Sequence, residues 1–151
     1  MLPDIVGIAT VGIVETIVVG ISASQTSQVA ARRAMQIAKA LGATVNFVTV
    51  VDEDVRGVVS VGADAFEYSS VDEAQRLVDR FIADEGIDLP YTVTAIAGDP
   101  ATVLLAQAEA LAADLIVVGN VRMQGIGRVL GSVGNDVAHR APCDVLIVKT
   151  V

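Results

Sequence analysis

Five short runs rich in β-branched residues punctuate the chain: "ETIVVGIS" (15–22), "TVNFVTVV" (44–51), "YTVTAIAG" (91–98), "DLIVVG" (114–119) and "DVLIVKT" (144–150). Several are apolar almost without a break, as strands covered on both faces should be. Longer alanine-rich segments separate them. Strand, helix, strand repeated in this way requires right-handed crossovers, and so a parallel sheet with helices on both faces. The reading is one doubly wound α/β domain, because 151 residues suffice for one such core and are too few for two. Apolar residues make up 53% of the chain and aromatics only 3%, so Val, Ala, Leu and Ile must fill the interior.

The intervening segments carry helix signals. "SQTSQVAARRAMQIAKALG" has Ser24 as N-cap, places Val29, Ala30, Ala34, Ile37, Ala38 and Leu41 on one face, and stops at Gly42. "SSVDEAQRLVDRFIADEG" aligns Val71, Ala74, Leu77, Val78, Phe81 and Ile82, with Ser70 and Glu73 in a capping-box spacing and Gly86 as the stop. "GDPATVLLAQAEALAAD" has Asp99 as N-cap and Pro100 at the first helical position. A fourth, short helix is expected over roughly 132–140, ending before Pro142.

The formal net charge of −8 argues against a nucleic-acid binder or a protein of anionic membrane surfaces, since both need a basic footprint. The lone Cys143 excludes an intramolecular disulfide and reads as a small apolar residue beside a strand. The apolar N-terminus lacks a basic start, and Glu15 interrupts it short of the roughly 20 residues a spanning helix needs. A cytoplasmic protein is expected. Residues 1–13 form an extension whose role as edge strand, oligomer contact or leader the sequence leaves open, and 14–151 form the domain.

In a sheet of this kind ligands bind beyond the carboxyl ends of the strands, where the winding reverses. The loops after strands therefore matter most. The segment 52–69, "DEDVRGVVSVGADAFEYS", is the longest connection and shows no clear period. Its acids, Asp52, Glu53, Asp54, Asp64 and Glu67, fit no calcium-loop spacing and read as a solvated loop.

The loop "GNVRMQGIGRVLGSV" (119–133) holds four glycines between a strand and a helix. Gly125, Gly127 and Gly131 suggest a dinucleotide fingerprint, but that motif belongs in the first crossover and needs an acidic residue about 20 positions on, which is missing. No G-K-[ST] phosphate loop and no G-x-S-x-G occurs, and the single His139 reads as a surface or helix-end residue. What survives is an anion site at the start of the last helix, where Gly131 and Ser132 would present free N–H groups. Arg122, Arg128 and Arg140, with Asp136 as the only acid between 119 and 140, make this stretch locally electropositive.

At this point "LIVVGNVRMQGIGRVLGSVGNDVAHRAPCDVLIVKT" resembles the C-terminal half of the universal stress protein family, with its G-x2-G-x9-G-[ST] loop, following helix, "APC"-like turn and final apolar strand. "ETIVVGISASQTSQVAARRAMQIAKALGATVNFVTVVD" resembles that family's opening strand, helix and strand. The resemblance spans roughly residues 14–150. It implies a five-stranded parallel sheet in order 3-2-1-4-5, an adenine-nucleotide site between the ends of the first and fourth strands, and a homodimer through the last strand, 144–150. Base and ribose contacts would fall on Gly20, Ile21, Ser22, Val50 and Val51. Phosphate contacts would fall on Gly119, Gly131, Ser132 and Val133, and the loop between them adds Asn120, Arg122, Gly125, Gly127 and Arg128 as candidates on its own residues. The implied ligand is ATP, AMP or cyclic AMP, with Mg2+ as a candidate companion, bound for sensing or sequestration; no paired general acid and base suggests an enzyme.

Two departures fall in that site. Ser22 and Ala23 stand where the family usually has aspartate and glycine, so a ribose-binding carboxylate is lost while a hydroxyl remains. Arg122 stands where the second loop glycine is usual, with only eight residues between it and Gly131. Arginine brings bulk where backbone would approach a phosphate, and also a charge-assisted donor. A nucleotide-free dimeric interaction module is the competing reading.

Overall fold

The computed structural model describes residues 12–120 and 132–150. Its elements run β1 (Thr16–Gly20), α1 (Gln25–Leu41), β2 (Thr44–Val51), β3 (Arg56–Val61), β4 (Asp64–Ser69), α2 (Ser70–Glu85), β5 (Tyr91–Ala97), α3 (Pro100–Ala110), β6 (Leu115–Gly119), α4 (Ser132–Arg140) and β7 (Asp144–Val148). Five strands form one parallel sheet in the order β5-β2-β1-β6-β7. Counting only those strands, this is the order 3-2-1-4-5.

Alternating side chains divide the interior into two layers. Ile17 and Val19 of β1 with Val45 and Phe47 of β2 face α1 and α2, whereas Val18, Val48, Ile116 and Val118 face α3 and α4. Burial on both faces explains why these strands read as continuous apolar runs. The sheet is latched at its lower end by Asp114, whose Oδ2 accepts from the backbone N–H groups of Glu15 and Thr16 at 2.9 and 3.0 Å.

Helix α1 packs through its alanines. Ala30, Ala31, Ala34 and Ala38 are fully buried, while Val29 and Leu41, expected on the core face, are exposed. Small side chains let the helix axis approach the sheet, and the bulkier residues are displaced to the flanks. Helix α2 buries Val78, Phe81 and Ile82 but leaves Leu77 outside. Arg32 of α1 donates to Glu85 of α2 at 2.7 Å and lies over the Phe81 ring, joining the two helices across their groove.

Two sequence expectations need correction. The N-cap of α2 is Ser69, whose hydroxyl accepts from Asp72 N–H, and not Ser70; Glu73 pairs with Arg76 instead of closing a capping box. The segment 52–69 is no irregular loop but contains an antiparallel hairpin, β3 and β4 in register from Arg56↔Ser69 to Val61↔Asp64. Gly62, at φ 64°, opens its two-residue turn, as a II′-type hairpin favours.

Candidate functional site

The chain winds outward from β1 to β2 and β5, then returns to β6 and β7 on the other side of β1. The crevice of such a sheet lies at this reversal, past the ends of β1 and β6. A cleft of about 320 Å³ occupies it, lined by Gly20, Ile21, Ser22, Ser24, Ser27, Val48, Val50, Pro100, Leu104, Val118, Gly119, Ser132, Val133 and Gly134.

The first turns of three helices converge there. Ser24 and Ser27 belong to the start of α1, Pro100 begins α3, and Ser132, Val133 and Gly134 form the first turn of α4. Unpaired N–H groups and the positive ends of helix dipoles make such a convergence favourable to an anion. Across from them Ile21, Val48, Val50, Leu104 and Val118 supply an apolar wall. None of the described lining residues is charged.

Glycine serves a packing purpose at both strand ends. A Cβ on Gly119 would lie 3.2 Å from the backbone oxygen of Thr26, so the start of α1 approaches β6 closely only because no side chain intervenes. At Gly20 a Cβ would meet Leu104 Cδ1 at 3.3 Å, at the far end of a side chain that can turn away.

Ser22 joins a hydroxyl cluster. Its N–H donates to Ser27 Oγ at 2.9 Å, and its own Oγ lies 3.0 Å from Ser24 Oγ and 3.1 Å from Ser27 Oγ. Ser24 Oγ accepts from Ser27 N–H as the N-cap of α1. These hydroxyls can donate to or accept from a ligand after small rotations.

Asn120 is otherwise engaged. Its Oδ1 accepts from Thr150 N–H at 2.6 Å and from the Thr150 hydroxyl at 2.9 Å, tying the strand exit to the chain end. Val51 lies away from the main cleft, in a neighbouring cavity of about 480 Å³ between α1 and α2 that shares Ile21, Ser22 and Val50 with it. Arg122, Gly125, Gly127, Arg128 and Gly131 lie outside the described residues. His139 is exposed in the last turn of α4.

At the rim, Asp99 caps α3. The Thr102 N–H and then the Thr102 hydroxyl hold its carboxyl below the ordinary carboxylate value, with Arg140 adding to the effect. Among the described residues no group of three or more His, Cys, Asp or Glu side chains is placed to hold a metal ion.

The chain matches the universal stress protein family model over residues 14–149. It belongs to the universal stress protein family. A universal stress protein of Mycobacterium tuberculosis is 52% identical over 56 residues, a match spanning 36% of this chain and 38% of that relative's length. One from Methanocaldococcus jannaschii is 34% identical over 141 residues, 88% of this chain and 81% of the relative. Among solved structures, a universal stress protein in complex with cAMP superposes with a TM-score of 0.70 at 32% identity, covering 93% of this chain and 100% of that one.

Within this universal stress protein fold, Gly20, Ile21, Ser22, Val50, Gly119, Ser132 and Val133 line one cleft. Reading the sequence missed Ser24, Ser27, Val48, Pro100, Leu104, Val118 and Gly134 as lining residues. Ser24 and Pro100 carry helix-start signals in the sequence, and the usable signal is three helix starts after strands, on a sheet whose strand ends share one side.

Proposed function

We propose that this universal stress protein binds an adenine nucleotide in the cleft beyond β1 and β6, and senses or sequesters it as part of a cytoplasmic stress response. The observation that carries the reading is the convergence of three helix starts opposite an apolar wall. The phosphate would lie against the first turns of α1 and α4, and the base against Ile21, Val50 and Leu104. Ser22, Ser24 and Ser27 would offer hydroxyls to the sugar.

A cyclic monophosphate suits this lining better than a triphosphate. Its single negative charge is within what helix N-termini stabilise, whereas ATP with Mg2+ calls for carboxylate or similar oxygen ligands, and the described lining has no carboxylate. The likeness to a structure in complex with cAMP, at 32% identity, supports the same choice.

Thermal unfolding with ATP, AMP, cyclic AMP and NAD tests this directly. A ligand at about 1,000 times its Kd adds about 4 kcal/mol, on the order of 10 °C for a domain of this size. Cyclic AMP is expected to give the largest shift, and no shift with any adenine nucleotide would sink the reading. Arg122→Ala should weaken binding if arginine contacts the phosphate, and leave it equal or tighter if arginine obstructs.

We also infer that the protein is a homodimer through β7. Among the described residues this strand is the last of the sheet, and Ile147 on it is 37% exposed. Strand edges of this kind pair readily with a second copy.

A further inference from the structure

We propose that the cavity between α1 and α2 is a second ligand site, for an uncharged, largely apolar small molecule that carries a hydrogen-bonding group. It adjoins the nucleotide cleft along Ile21, Ser22 and Val50, but the inference stands independently of nucleotide binding.

The cavity is built on the core itself. Its volume of about 480 Å³ exceeds that of the cleft beyond β1 and β6 and lies in the size class of small-molecule sites. Ile21, Val78 and Phe81 reach it from the buried cluster between the sheet and α1 and α2. Val51 at the end of β2, with Ala74 and Leu77 of α2, completes the apolar wall. Arg32 of α1 donates to Glu85 of α2 at 2.7 Å and lies 5.4 Å over the Phe81 ring, so the two helices are joined at one end of the cavity.

Thr49 identifies what the occupant must offer. The two-residue period puts it on the face of β2 that Val45 and Phe47 turn toward α1 and α2. It lines the cavity, is only 4% exposed, and its hydroxyl makes no hydrogen bond to any described residue. Buried hydroxyls are nearly always paired, because one left bare loses its hydration without replacement. Among the described residues the side-chain atom sealed off without a partner is Asn46 Oδ1 and not the Thr49 hydroxyl, which is therefore reached from the cavity. A hydroxyl both donates and accepts, so a phenol, an indole N–H or an amide would satisfy it.

Charge selects a neutral occupant. Arg32 and Arg80 face Asp84 and Glu85 in the lining, two of each sign, and Arg32 is already bonded to Glu85. The α1 and α2 residues that line the cavity, from Gln28 and Ala74 onward, lie beyond the first turns, where backbone N–H groups are paired within the helix. Among the described residues the cavity thus lacks the pull on an anion that three helix starts give the nucleotide cleft. A carboxylate or phosphate would shed water against Val51, Val78 and Phe81 without compensation.

The probes are 2-naphthol, naphthalene and 2-naphthoate, each titrated into the full chain by calorimetry without nucleotide. Saturable binding of 2-naphthol at one site is expected, with naphthalene and 2-naphthoate each about tenfold weaker or more. Thr49→Val keeps the shape and should weaken 2-naphthol about tenfold while leaving naphthalene equal or tighter, a reversal that general loosening of the fold would not produce. Ala74→Phe fills the cavity from α2 and should abolish binding; Gln28→Phe fills it from α1 and serves the same purpose where circular dichroism shows the first variant to be misfolded. No saturable binding of 2-naphthol, or binding untouched by the filling variants, would overturn the site. Tighter binding of 2-naphthoate than of 2-naphthol, or equal affinity of wild type and Thr49→Val for 2-naphthol, would overturn the ligand class assigned to it.

Discussion

Gly119 shows how one residue serves both packing and site geometry. With Thr26 O 3.2 Å from where a Cβ would sit, Gly119→Ala must push the start of α1 away from β6, since backbone cannot rotate aside. A loss of about 1–3 kcal/mol is expected, or on the order of 5 °C in thermal unfolding. Gly20→Ala, facing a movable Leu104 terminus, should unfold nearly as wild type yet narrow the cleft. Asp99 adds a pH dependence. Its folded-state pKa is depressed, so its contribution is fully present above the ordinary value of 3.8 and fades as pH falls through the lower folded value. The difference in melting temperature between wild type and Asp99→Ala should be constant above pH 3.8 and shrink on further acidification. A difference that instead grew with acid would contradict the capping role.

Among the elements, the five buried strands and the helix stops at Gly42 and Gly86 were legible because each leaves a local mark: unbroken apolar runs, and glycines at φ 68° and 59°. Ser24 and Asp99 were legible as N-caps for the same reason. The hairpin was not legible. "RGVVSV" and "DAFEYS" are almost wholly exposed, so neither carries a long apolar run, and their alternation extends over only three or four residues each, too short to stand out as a strand. The α1 face was misjudged because residue size predicted burial where closeness of approach favoured alanine. The cap of α2 was displaced by one residue because two serines stand side by side and only tertiary contacts distinguish them. Ser69 serves the helix and Asp54, while Ser70 serves the hairpin base. Ser69→Ala should therefore cost about 1 kcal/mol or somewhat more. It should accelerate amide exchange in the first turn of α2, whereas Ser70→Ala should do so mainly around Val55. Identical exchange maps for the two variants would contradict this division.

For the whole molecule, the order of strands decides what lies together. Lining residues from α3, such as Pro100 and Leu104, meet β1 only because the chain returns across the sheet after β5, a placement no local pattern records. The same order leaves β7 as an outer strand. Ile147→Lys should halve the mass measured by light scattering if copies pair there, with the circular dichroism spectrum unchanged, and an unaltered mass would end that assignment.

The bond from Thr150 to Asn120 links the last described residues to the exit of β6, one residue from Gly119 in the cleft wall. Any pull on the backbone that follows Thr150 passes through that bond. Strain applied to the segment after Thr150 is therefore delivered to the mouth of the cleft, where it will blur a binding measurement.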